Sequence, residues 1–272
     1  MCIRDRVCLN GGWLGLVYGD YEAVMPLALN TKIPLMPRII HPIFAQQLGI
    51  FGQSPASEDQ TIQFLAAIPK KYKNVYLQFN EDNKIPKSRL SESTERINYT
   101  LALNKAYEDL HNGFSKNMKR NIKIGKKNGC QAEQLAVDKF CEFYLANTPE
   151  KTIQNHDLER LLPSLLTALI KNKAAKILSV KNEDGKIVAA CLLTIFKSRL
   201  TYLMARSSEQ GKQKRAMHFI IDSIIREYAG GDYILDFEGS EIESIANFYS
   251  FFNAIPNSYP TLSYQSFPFS LV

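Results

Sequence analysis

The sequence predicts an α/β (α+β) protein made of two mixed sheet-and-helix halves. Three observations lead there. One order of elements, hairpin then third strand then helix then closing strand, occurs twice along the chain. Near the C-terminus a short apolar run passes straight into helical periodicity. The chain of 272 residues, 45% hydrophobic and 22% charged, also has ordinary globular proportions and room for one large or two small domains.

In the first half, Trp13–Tyr18, a Gly19-Asp20 turn and residues 22–29 read as a hairpin. Residues 33–40 supply a third strand interrupted by Pro34 and Pro37. A long loop follows, then a helix over 58–68 and a strand over 75–79. The polar, charged segment 80–98, with Pro86, reads as a linker, and 97–103 as the next strand. Helices are expected over 107–127, 137–147 and 157–171.

The second half repeats the grammar. Strand 176–181, the turn Asn182-Glu183-Asp184-Gly185 and strand Ile187–Phe196 form a hairpin, and 200–205 is the third strand. A polar loop leads to the helix Ala216–Tyr228 and then to strand 233–237. There Gly239 breaks the run, and Ser240 with Glu243 forms a capping box opening a helix of Ile242, Ile245, Phe248, Tyr249 and Phe252. Residues 259–269 read as a strand pair with Pro256, Pro260 and Pro268 at its corners. These assignments divide the chain into halves at 1–95 and 96–272.

Composition excludes several classes. No apolar run approaches the ~20 residues of a membrane-spanning helix, and no apolar stretch precedes a signal-cleavage site. Five scattered cysteines suit a reducing cytoplasm, and the four histidines, at 41, 111, 156 and 218, lack metal-ligand spacing, so no metal is expected. No G-x-S-x-G, Walker or G-x-G-x-x-G pattern appears. Residues 1–6 resemble the translated-adapter leader of reading frames assembled from sequence reads. They are expected to be an artefact, with the native N-terminus missing.

Ala246-Asn247-Phe248-Tyr249-Ser250-Phe251-Phe252-Asn253-Ala254 resembles the last helix of the GNAT acyltransferase superfamily. Asp236-Phe237-Glu238-Gly239-Ser240, 20–27 and 46–51 resemble blocks of its Fem-type branch, the peptidoglycan aminoacyltransferases and their small acetyltransferase-like relatives. The resemblance spans nearly the whole chain and implies a tandem GNAT-like fold, with the acceptor in the cleft between halves. It departs at Asn253, where the family carries Gly; Asn also tolerates the left-handed conformation that ends a helix. In that family a Tyr at the place of Tyr249 protonates the departing coenzyme A thiolate. An aromatic on a helix face can equally be core.

The same resemblance places a donor-pyrophosphate loop at Arg206, Ser207, Ser208, Gly211, Lys212, Lys214, Arg215 and Ala216, with one glycine where the pattern has two or three small residues. Helix N-terminal amides and cations suit a diphosphate. The thin loop leaves two donors open, acyl-CoA (acetyl-CoA) and aminoacyl-tRNA. Glu238 and Asp236, at a strand end, are the candidate bases, Asp236 being equally suited to orienting the loop. Lys116, Lys119, Arg120 and Lys123 lie on one face of a helix over 114–128 that has no acidic residue, which makes them either an anion-binding surface or a solvated face. The functions in contention are acyl transfer from acyl-CoA to an amine, small-molecule or cell-envelope precursor; Fem-type transfer from aminoacyl-tRNA; and a non-catalytic GNAT fold that binds an anionic ligand.

Overall fold

The computed structural model describes residues 12–30, 36–85, 92–156, 158–239 and 241–265. Among them two compact units are present. The N-terminal unit comprises 12–97 and the closing residues 257–265, and the C-terminal unit comprises 98–256.

The N-terminal unit opens with the expected hairpin of β1 (Trp13–Tyr18) and β2 (Ala23–Asn30). Of the expected third strand, Arg38–Ile40 form β3, following Pro37, which cannot donate to a ladder; 33–35 lie outside the described residues. β4 (Phe51–Gly52) pairs with β2. Helix α1 (Glu58–Ala66) starts where Ser57 Oγ accepts the Gln60 N–H at 3.1 Å, with Glu58 and Asp59 favouring its positive end. β5 (Asn74–Gln78) runs parallel to β3 and antiparallel to β12 (Ile255–Gln265). The strand order is β1-β2-β3-β5-β12. Met25, Leu27, Ile39, Phe64, Val75, Leu77 and Phe79 form its core.

Two sequence expectations change here. The supposed linker is half strand: β6 runs Glu92–Ala102, its charged first half alternating with Thr94, whose hydroxyl meets that of Thr261 at 2.7 Å. Residues 259–265 of the expected C-terminal strand pair belong to one long strand, β12, with Pro256 and Pro260 inside it; 266–269, with Pro268, lie outside the described residues.

In the C-terminal unit the predicted helix over 107–127 is two helices, α2 (Tyr107–Gly113) and α3 (Lys116–Lys127). Phe114 turns extended to bury its ring, and Ser115 caps α3 by accepting the Met118 N–H at 3.1 Å. The short β7 (Glu133–Gln134) precedes α4 (Val137–Ala146), α5 (Glu150–His156) and α6 (Leu158–Lys171). Then come β8 (Ala175–Lys181), β9 (Ile187–Phe196), β10 (Arg199–Ser207), α7 (Glu209–Lys214), α8 (Ala216–Tyr228), β11 (Ile234–Asp236) and α9 (Glu243–Ser250). Strand order is β6-β11-β10-β9-β8-β7, with β10 and β11 parallel. β9 is apolar almost throughout because both its faces are covered.

The repeat of element order is therefore a repeat of topology. In each unit a hairpin leads to a third strand, antiparallel to the hairpin and parallel to the strand after the helix, which is itself flanked by an antiparallel neighbour. Phe79 and Phe237, both buried, follow the parallel strands of their own units.

Candidate active site

β10 and β11 pair for three residues, Arg199↔Ile234 to Thr201↔Asp236, and then part. β11 stops while β10 continues to Ser207, its register against β9 slipping between Tyr202 and Met204. The backbone of 202–207 thus has a strand on one side only. A cavity of about 360 Å³ opens on the other, lined by Tyr144, Arg206, Met217, Glu238, Phe248 and Tyr249 among others. A parallel sheet splayed at the carboxyl ends of its strands is a usual place for a ligand.

The turn after β11 is built by Asp236. Its side chain is almost wholly buried; Oδ2 accepts from Arg199 Nε at 2.7 Å and Oδ1 from the Glu238 N–H at 2.8 Å. Glu238 and Gly239 both have positive φ, +58° and +56°. For Glu238 that conformation costs on the order of 1 kcal/mol, and the Asp236 hydrogen bond offsets it. Asp236 itself does not line the cavity, whereas Glu238 does. Of the two candidate bases, the structure brings one to the site and makes the other its support.

Tyr249 sits in α9 with its ring stacked on Phe237, centroids 4.8 Å apart. It is 9% exposed and lines the cavity, and among the described residues its hydroxyl has no hydrogen-bond partner. Burial, then the negative charges of Glu238 and Asp236, raise its pKa above the usual phenol value. It therefore keeps its proton at neutral pH, as a donor must. The helix N-cap is Ile242, without a side-chain cap; Ser240, on which the expected capping box rests, lies outside the described residues.

The loop 206–215 is not a loop. Ser208 caps α7, accepting the Gly211 N–H at 3.2 Å while donating to the Val188 carbonyl. Gly211 is glycine for packing, since a Cβ there would stand 2.0 Å from Val188 O. Lys212 pairs with Glu209 and Lys214 with Glu183, so both cations are answered by protein carboxylates. Arg206 and Ser207 reach the cavity. The helix start that faces it is α8, one residue past Arg215, which takes the left-handed conformation at φ +60°. Met217, in the first turn of α8, lines the cavity. The positive end of a helix suits an anion.

Several lining residues escaped the sequence. Tyr144, from α4, lies under the Arg206 guanidinium at 4.7 Å. Thr148 accepts from Arg206 Nε at 3.0 Å. Tyr202 and Phe248 complete an aromatic wall. Phe248 meets the His218 ring edge-on at 4.9 Å, where burial and Arg215 hold the imidazole down to about 4. On α3, Lys116, Arg120, Lys123 and Lys127 are exposed along one stripe, and Lys119 turns back to donate to the Asn112 carbonyl.

No family model and no curated protein sequence matches the chain. Solved structures do. The crystal structure of FemX aligns with 96% of this chain and 90% of its own, at 13% identity and a TM-score of 0.64. The chain has a Fem-like, GNAT-type fold. The C-terminal domain of a putative lysylphosphatidylglycerol synthetase from Agrobacterium fabrum is similar over 96% of this chain and 87% of that one, at 12% identity and a TM-score of 0.59. L-PGS from Bacillus licheniformis is similar over 98% and 88%, at 15% identity and a TM-score of 0.52. At these identities the likeness is one of fold. Within the Fem-like fold, the site residues stand on this chain's own geometry.

Proposed function

We propose that the cavity of the C-terminal unit is an acyl-transfer site that moves an acyl group, acetyl in the simplest case, from an acyl-CoA thioester to an amine. The observation that carries this is the convergence of Tyr249, Glu238 and the one-sided edge of β10 on one cavity beside the first turn of α8. That convergence favours an enzyme over a purely anion-binding module. Ser207 and the first turn of α8, with Arg215 beside it, receive the donor's phosphates. The backbone of 202–207 offers hydrogen bonds to an extended, amide-bearing donor arm, as a sheet edge does to a peptide. Glu238 takes the proton from the attacking amine. As the new C–N bond forms and the C–S bond breaks, Tyr249 gives its proton to the leaving thiolate. Positioning and two proton transfers are the whole of the chemistry.

A second donor is favoured by a separate observation. The stripe Lys116, Arg120, Lys123 and Lys127 has no acidic partner among the described residues, which suits the long polyanion of an aminoacyl-tRNA. The acceptor is a small-molecule or cell-envelope precursor amine. Both donors belong to the cytoplasm, and this reading places the protein there; no described helix is long and apolar enough to cross a membrane.

Thiol release from an acyl-CoA panel and transfer from charged tRNA, each with an amine acceptor, test the reading. Turnover with acyl-CoA that is untouched by Lys116→Glu/Lys123→Glu assigns the CoA donor. Turnover with tRNA that falls in that variant, with a flatter salt dependence, assigns the tRNA donor. Turnover with neither returns the fold to anion binding alone.

A further inference from the structure

We propose that the amine substrate also carries a carboxylate, as an amino acid or short peptide does, and that Arg206 binds it. The assignment of the amine as acceptor rests on the acyl-transfer reading; the carboxylate subsite stands on the following geometry.

Arg206 is the penultimate residue of β10 and lines the cavity. Its guanidinium is fixed on one face and two nitrogens. Tyr144 stacks beneath it, Nε donates to Thr148 Oγ1, and Nη1 donates to the Ala205 carbonyl at 3.0 Å. Thr148 is held in turn, its hydroxyl donating to the Tyr144 carbonyl at 2.6 Å. The donors on Nη2 have no acceptor, and no carboxylate pairs with Arg206, among the described residues. Both lysines of the segment have carboxylate partners, Lys212 with Glu209 and Lys214 with Glu183. A guanidinium immobilised in a cavity with one side left open is shaped for a planar anion.

The opposite charge lies across the aromatic wall. Glu238 is the foremost charge acting on Tyr249, while the Arg206 charge acts on Tyr202 and Tyr144. The Tyr202 and Tyr249 rings are 6.4 Å apart. The lining therefore carries both signs of charge, Arg206 beside Tyr144 and Glu238 in the turn after β11, with π faces that also favour an ammonium. A ligand matching this pattern is a zwitterion with its amine toward Glu238 and its carboxylate toward Arg206. The donor's phosphates are the other source of an anion for Arg206; the acyl-transfer reading sets them against the first turn of α8 instead.

Calorimetric titration of the full chain with L-lysine and L-lysinamide, and with glycylglycine and its amide, tests the proposal. Wild type binds each acid about tenfold more tightly than its amide, the scale of one charged hydrogen bond. Arg206→Gln removes the preference and Thr148→Val reduces it; Arg206→Lys, which keeps the charge but loses the fork, serves if the glutamine variant does not fold. Equal binding of acids and amides by wild type, binding of no panel member, or a preference that survives in the Arg206 variants overturns the proposal. So does a loss of inorganic pyrophosphate binding in Arg206→Gln with the acid preference intact, which assigns Arg206 to the donor. An Arg206-dependent acid preference in a protein that transfers from neither donor class keeps the subsite and retires acyl transfer.

Discussion

In the N-terminal unit the gap beyond the parallel strands β3 and β5 is filled by the chain itself, whereas in the C-terminal unit the gap beyond β10 and β11 is a cavity. Leu48 donates to the Gln78 carbonyl at 2.9 Å and bridges Phe79, continuing β5's parallel pairing with a loop. Asn80 donates to the carbonyls of Leu48 and Ile50, and Asn83 both accepts from and donates to the Ile50 backbone. Phe44, Ala45, Leu48 and Ile50 are buried there. In the C-terminal unit the chain leaves β10 for α7 instead, and 202–207 keeps an open side. One topology thus gives a packed wall or a binding site, depending on where the chain goes after its third strand.

The same substitution in the two gaps should separate them most. Ile50→Ala removes a buried side chain, and urea unfolding should show a loss of about 2–5 kcal/mol. Ile245→Ala, at a residue 36% exposed beside the cavity, should change stability by less than about 1 kcal/mol while weakening substrate binding. Similar losses at both would erase the distinction. Asn83→Ala should cost about 1–3 kcal/mol, because it orphans the backbone it satisfies in a site that water does not reach.

A smaller effect should be shared. Among the described residues each unit holds a partly buried histidine whose pKa is about 4: His41, lowered by burial although it bonds the Ala45 carbonyl, and His218, lowered by burial and Arg215. Both are neutral in the folded chain and titrate near the usual 6.5 when unfolded. Below that value the unfolded chain binds the extra protons, so their contribution is complete above about pH 6.5 and is lost as pH falls toward 4. The midpoint of thermal unfolding should drop across that window, and His41→Gln and His218→Gln should each flatten the drop. An unchanged slope in either variant removes that histidine from the account.

Much of this architecture was legible because local and tertiary preferences agree. The apolar run of β9 and the periodicity of α8 predict those elements, and Asn253 adopts the left-handed conformation, φ +63°, expected of a helix-ending Asn. What was hidden depends on partners distant in sequence. Tyr144 and Thr148 reach Arg206 from a helix end with no signature of its own. Gly211 reads as a phosphate-loop glycine until Val188 appears against it. Glu95 and Arg96 lie within β6 despite their charge, because half-exposed strands tolerate charge on one face. Asp236 and Glu238 look alike as strand-end carboxylates, and only Arg199 distinguishes support from site.

The central claim is that the open gap does chemistry through Tyr249. Tyr249→Phe keeps the ring stacked on Phe237 and removes only the hydroxyl, so stability should change by no more than about 1 kcal/mol. Single-turnover transfer, measured beside wild type with the donor class that wild type accepts, should fall about 10²-fold or more, the usual loss when a general acid is removed. Equal rates in the two proteins, with equal thermal midpoints, would contradict the claim and leave Tyr249 as a wall of the cavity.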